Sequence, residues 1–149
     1  MGEILFALAD IPPPPFGGLL HAPKTDNADG RLRVLVVDDE HLIADTLCAI
    51  LNDHDFDAAA AYSGAEAIEA ARKLRPDVVL SDVLMPRMSG VELGIQLRSE
   101  FPGIKIFLFS GQTATTEMLH SAEEQGHRFE LFPKPIHPDE LMARLRGIY

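Results

Sequence analysis

Cysteine is almost absent. Cys48 stands alone among 149 residues, which excludes an internal disulfide and is compatible with a reducing cytoplasm. No activating neighbour is legible around it, so Cys48 reads as a small buried helix residue rather than a nucleophile. Basic residues are scarce too: 13 lysines and arginines stand against 23 acids, a formal charge of -10. Such a surface repels a phosphate backbone, which argues against direct nucleic-acid binding. No apolar run reaches the length of a membrane span, and "ILFALA" near the N-terminus follows Glu3 with no basic residue before it. Neither a secretory leader nor a transmembrane helix is expected. Walker and G-x-G-x-x-G loops are missing, as are HxxxH and H-E-x-x-H spacings, which removes support for nucleotide binding and for a histidine zinc site. The string "DHDFD" at 53–57 has Ala58 where a calcium loop needs its glycine and Gly64 where it needs its closing glutamate; it reads as a polar turn.

What is present, 46% hydrophobic and 24% charged residues, is the composition of a globular chain long enough to bury one core. Two textures divide it. Residues 1–30 hold four consecutive prolines at 12–15, paired glycines and a polar stretch ending at Gly30, and read as an N-terminal proline-rich extension. The proline run favours a stiff polyproline II segment, either a plain spacer or a ligand for an aromatic groove. Its apolar flanks "ILFALA" and "FGGLL" suit packing on the domain or on a second copy. Residues 31–149 form the folded domain.

Within that domain short apolar runs alternate with helical patterns. "RVLVV" (33–37), "FDAAAAY" (56–62), "DVVLS" (77–81), "KIFLF" (105–109) and "FELF" (129–132) are the predicted strands, the alanine-rich second carrying the weakest signal. Ile43, Leu47, Ile50 and Leu51 share one face of a first helix. Ser63 with Glu66 and Ser89 with Glu92 spell capping boxes that open a second and a third. A last helix begins at His137-Pro138 and repeats Leu141, Leu145 and Ile148. Five strands alternating with five helices predict an α/β fold, a doubly wound parallel sheet covered on both faces, because parallel strands need crossovers. Pro133 cannot donate a ladder hydrogen bond, which places the fifth strand at an edge. The order 2-1-3-4-5 satisfies that and puts a ligand crevice at the carboxyl ends of strands one and three.

Chemistry gathers at those strand ends. Strand one delivers Asp38 and Asp39, strand three Asp82, strand four Ser110 and strand five Lys134. Two carboxylates about 5 Å apart at an effective dielectric of ~20 repel by roughly 3 kcal/mol, more than Lys134 alone can offset for three acids. A divalent metal is the remedy, and oxygen-only ligands with open positions point to Mg²⁺ or Mn²⁺. Metal, lysine, hydroxyl and a free carboxylate suit phosphoryl transfer, with Asp82 as the nucleophile that forms an acyl phosphate.

"VLVVDDE", "VVLSDVLMPRMSG", "FLFSG" and "FPKP" occur in the order and near-spacing of a known family. Over residues 31–149 the chain resembles the flavodoxin-like receiver domain of two-component response regulators. The resemblance implies that Asp82 is the phosphoacceptor, that Asp38 and Asp39 are the metal-site acids with the backbone carbonyl of Leu84 as a further ligand, that Ser110 is the switch hydroxyl, and that Lys134 is the family's lysine, joined to Pro135 by a cis bond. It implies a histidine kinase or phosphotransfer protein as donor, and a protein target met through the fourth helix, fifth strand and fifth helix; a homodimer is compatible with it.

Departures from the family pattern also carry information. Ser110 replaces the commoner threonine and keeps the hydroxyl. Leu131 stands where the family places Tyr or Phe, and Phe132 cannot substitute because adjacent strand residues face opposite sides. Signalling is therefore expected to rely on backbone shifts near residues 112–130 rather than on an aromatic rotamer. Leu84 and Gln112 hold the positions that tune water access, and an apolar Leu84 predicts slow hydrolysis of the acyl phosphate. With the sequence ending at Tyr149, the expectation is a stand-alone cytoplasmic switch, not an enzyme acting on other molecules. Two alternatives stay open: a docking module that works unphosphorylated, and a phosphohydrolase of the haloacid-dehalogenase type, which would want D-x-D where this chain reads D-D-E.

Overall fold

A computed structural model of the chain describes residues 30–111 and 114–147. The proline run with its flanks, Gln112 and Ile148 lie outside the described residues. The described chain alternates β1 (Leu32–Val37), α1 (His41–Asn52), β2 (Phe56–Ala61), α2 (Gly64–Leu74), β3 (Val78–Asp82), α3 (Gly90–Glu100), β4 (Lys105–Ser110), α4 (Ala114–Glu124), β5 (Glu130–Pro133) and α5 (Pro138–Arg146). All five strands pair in parallel in the order β2-β1-β3-β4-β5, as the alternation of elements predicts.

Both faces of the sheet are dry, which is why the strands read as near-continuous apolar runs. In β1, Val34 and Val36 point into one core layer and Leu35 and Val37 into the other. β4 repeats this: Phe107 and Phe109 join the layer under α1 and α5, Ile106 and Leu108 the layer under α2 and α3. Each such side chain, taken fully out of water, contributes about 1.5–3 kcal/mol of transfer free energy. Phe132 of β5 is 3% exposed and tilts against both Phe107 and Phe109. Its neighbour Leu131 faces the other way and is 40% exposed, the alternation the pleat demands.

Local chemistry sets the element ends. The Ser89 hydroxyl accepts the Glu92 N–H while the Glu92 carboxylate accepts the Ser89 N–H, a complete capping box. At α2 only half of the predicted box forms. Ser63 accepts the Glu66 N–H, but the Glu66 carboxylate reaches back one residue further, to the N–H of Tyr62. Tyr62 has left the sheet there, one residue before the predicted strand end. Its hydroxyl donates to Asp45 at 2.6 Å and its ring stacks on His41 at 3.7 Å, tying β2 to α1. Pro138 opens α5 as predicted, with His137 as an extended N-cap.

Of the polar turn expected over 53–57, residues 53–55 form the turn from α1 into β2, with Asp55 at a φ of 70°, while 56–57 already belong to β2 and Phe56 is buried. Cys48 is buried in α1, and burial pushes its thiol up to about 11, far from a reactive thiolate. No described helix is long and apolar enough to cross a membrane.

Candidate functional site

Strand ends place the acids. Asp38 follows β1 and is 1% exposed, its N–H donating to the Ala61 carbonyl of the neighbouring strand at 3.1 Å. One carboxylate oxygen, Oδ1, accepts the Glu40 N–H at 2.9 Å; the other, Oδ2, is buried without a hydrogen-bond partner. Contrast Asp77, the buried acid at the opposite end of the sheet, whose Oδ2 accepts the Arg33 N–H at 2.9 Å while its own N–H donates to the Arg33 carbonyl. Buried carboxylate oxygens are normally satisfied in this way, so the Asp38 oxygen is the exception that calls for an explanation.

Asp82 closes β3 and Asp39 follows Asp38 at the rim. One carboxylate oxygen from each of Asp38, Asp39 and Asp82 lies within 4.8 Å of the others, a set that can hold a metal ion. Burial raises the Asp38 pKa above its ordinary value, and the Asp82 and Asp39 charges push in the same direction. The Glu40 N–H and the Lys134 ammonium pull it back only in part. A partnerless buried oxygen, three converging hard oxygen ligands and a local excess of negative charge together fit a small divalent cation, and nothing soft or nitrogenous among the donors suggests another kind of metal.

Lys134 reaches in from the end of β5. Its Nζ stands 2.9 Å from Asp82 Oδ1, with the two side chains 35% and 12% exposed. Two features aim it: its backbone N–H donates to the Ser110 carbonyl at 3.1 Å, and its aliphatic stem lies over Gly111, where an added Cβ would come within 2.9 Å of Lys134 Cβ. The following Lys134-Pro135 peptide is cis, as the resemblance implies.

Gly90 plays the same part for Asp82. The Gly90 N–H donates to the Val83 carbonyl at 2.8 Å, and a Cβ on Gly90 would strike the Asp82 carbonyl oxygen. The start of α3 thus sits directly on the strand end that presents the carboxylate.

An open cleft of about 340 Å³ joins Asp39, Asp82, Leu84 and Lys134. The structure therefore brings together Asp38, Asp39, Asp82 and Lys134, with Leu84 on the same wall and 41% exposed. Ser110 stands at the end of β4 and lines a different cleft, between α4 and β5. Glu40 and Gly111 also line the acidic cleft, and neither is among the site residues expected from the sequence. Both were legible as the last letters of "VVDDE" and "FLFSG".

Comparison with known proteins agrees with this geometry. A model of the response regulator receiver domain matches residues 34–146. The DNA-binding response regulator MtrA of Mycolicibacterium smegmatis is 36% identical over 117 residues, covering 78% of this chain and 50% of that protein. The probable transcriptional regulatory protein TcrX of Mycobacterium tuberculosis is 37% identical over 122 residues, covering 81% and 51%. Among solved structures, the chemotaxis response regulator CheY4 of Vibrio cholerae superposes with a TM-score of 0.68 at 30% identity, covering 80% of this chain and 99% of that one. The chain spans about half the length of the curated relatives it matches. With sheet order, strand-end acids and family match in agreement, this chain belongs to the response regulator receiver domain family.

Proposed function

We propose that the chain is a phosphorylation switch in which Asp82 accepts a phosphoryl group from the phosphohistidine of a partner kinase or phosphotransfer protein. The observation that carries the reading is the setting of Asp82: a nearly buried carboxylate at a strand end, held by Lys134 at 2.9 Å and crowded by the oxygens of Asp38 and Asp39. A carboxylate kept in place by one ammonium and exposed to an open cleft is a nucleophile waiting for an electrophile of high negative charge.

Asp38, Asp39 and Asp82, with the backbone carbonyl of Leu84, would hold Mg²⁺, or Mn²⁺ in its stead. When bound, that ion supplies positive charge against the phosphoryl oxygens. The chain's own residues do the rest. An Asp82 oxygen forms the new O–P bond while the P–N bond to the donor imidazole breaks, and the electron pair, with a proton, stays on the imidazole. The Lys134 ammonium, already beside Asp82, binds a phosphoryl oxygen, and Ser110 donates its hydroxyl proton to another. Leu84 covers the product with an apolar side chain and limits the approach of water.

The phosphorylated chain then signals by protein contact through the face built from α4, β5 and α5. Its formal charge of -10 favours that route over direct contact with DNA. Its chemistry is confined to its own phosphorylation and dephosphorylation.

Incubation with acetyl phosphate and Mg²⁺, followed by intact-mass measurement, tests the reading. Wild type is expected to gain the mass of one phosphoryl group, and neither Asp82→Asn nor a magnesium-free sample should gain it. An adduct of equal yield on Asp82→Asn would overturn the assignment.

A further inference from the structure

The cleft between α4 and β5, about 710 Å³, is larger than the acidic one and within the size range of pockets that enclose small organic molecules. It exists because α4 sits loosely here. Among the described side chains of α4, Ala122 is the one that the core buries outright, Met118 and Leu119 are only partly covered, and Leu131 on the facing strand is left 40% exposed.

The far wall is closely packed. The ring of Phe129 leans on α3 at Gly94, where an added Cβ would come within 2.6 Å of the ring Cε1. One helical turn on, Arg98 lays its guanidinium carbon 4.2 Å from the centroid of the same ring.

Charge then singles out Arg98. Of the glutamates around the cleft, Glu123 is paired with Arg128 at 2.7 Å and Glu130 with Arg144 at 2.6 Å. Arg98 is partly buried and, among the described residues, has no carboxylate or carbonyl partner beyond its contact with Phe129. Burial lowers its pKa with no neighbouring carboxylate offsetting that pull. A partly buried cation beside an aromatic ring and two leucines, in a chain that is otherwise strongly acidic, is complementary to an anion with an apolar body.

We infer that the cleft between α4 and β5 binds a small aromatic anion, its ring packed on Phe129, Leu119 and Leu131 and its carboxylate, sulfonate or phosphate held by Arg98. The imidazole of His127 lies on the same wall as a further donor. Ser110 lines the cleft as well, so an occupant would rest against the residue that the functional reading places beside the phosphoryl group.

A matched pair of dyes tests this on the full chain, without any phosphoryl donor, so the outcome is independent of the fate of Asp82. 8-Anilinonaphthalene-1-sulfonate supplies the ring body with a sulfonate; N-phenyl-1-naphthylamine supplies the body alone. Fluorescence titration is expected to show saturable binding of the sulfonate at one site per chain, at least about tenfold tighter than the neutral dye, which is about 1.4 kcal/mol. Arg98→Gln should remove that advantage and leave the neutral dye unchanged, Arg98→Lys should keep most of it, and Leu131→Trp should fill the cleft and weaken both dyes. Equal affinity for the two dyes, an undiminished sulfonate affinity in Arg98→Gln, or a titration that never saturates would each overturn the inference.

Discussion

Lys134 Nζ meets Asp82 Oδ1 at 2.9 Å across the width of β4, the strand that separates the two strand ends carrying them. Among the described residues the pair is the direct contact by which a lysine offsets the acidic cluster, and it links residues 52 apart in sequence. Removing Lys134 leaves three acids facing one another. In a chelator-treated sample Lys134→Ala should therefore lower the melting temperature, and adding Asp82→Asn should restore it. Because Lys134 is about a third exposed, solvent screening keeps the coupling in that double-mutant cycle at about 1 kcal/mol. Strict additivity of the two substitutions would show that the contact carries no energy.

Asp38 ties stability to pH and metal. Its folded-state pKa is raised above the ordinary 3.8, chiefly by burial, so the folded chain holds that proton more tightly than the unfolded chain does. Between 3.8 and the raised value, the Asp38 contribution to stability therefore falls as pH increases. Asp38→Asn cannot lose it. In chelator the variant should melt higher than wild type, with the difference widening as pH rises through that window and levelling off above it. Magnesium should reverse the ranking at neutral pH: wild type gains about 2.7 kcal/mol at a hundredfold excess over its dissociation constant, and Asp38→Asn gains little. Calorimetric melts with and without Mg²⁺ read both effects, and a difference that narrows with pH would contradict the burial argument.

Gly90 is fixed by the backbone of Asp82 rather than by a turn. A methyl group there has to displace the Asp82 carbonyl oxygen. Gly90→Ala should cost about 1–3 kcal/mol, the usual penalty of overpacking a closed contact, read as a lower urea midpoint with an unchanged slope. Wild-type stability in this variant would mean that α3 is not seated on the end of β3.

Leu84 sets the lifetime of the phosphorylated state in the proposed function. Leu84→Asn puts a hydrogen-bonding group on the wall of the acidic cleft, where water can be held next to the acyl phosphate. Loss of the phosphoryl group, followed by intact mass after removal of the donor, should be several-fold faster than in wild type. An unchanged half-life would separate Leu84 from water control.

The strands were legible to within a residue or so because both faces of the sheet are buried, which leaves runs such as "VVLSD" with no reading but a core strand. Asp38, Asp39, Asp82 and Lys134 were legible for the same reason, since a charge at the end of such a run must sit at the rim. Other features were hidden by their dependence on contacts distant in sequence. Nothing in "AYSG" or its neighbours says that the Glu66 carboxylate will choose the N–H of Tyr62 over that of Ser63; the bond of Tyr62 to Asp45 and its stack on His41 decide it. The second cleft needs Phe129 to settle on Gly94, a meeting of α3 with the approach to β5 that no periodicity encodes. Nor does composition reveal that Asp38 Oδ2 is left without a partner while Asp77, equally buried, is satisfied.

β5 is four residues long, ends in Pro133 and forms one of the two borders of the sheet, opposite β2. An incoming strand would find few free amides on that border, and none at the proline, so this edge of the sheet makes a poor template for edgewise growth into fibrils. On that side of the sheet, copies of the chain at high concentration are thereby steered toward meeting through helices and side chains, where contact can be reversed, rather than through backbone ladders that are difficult to undo.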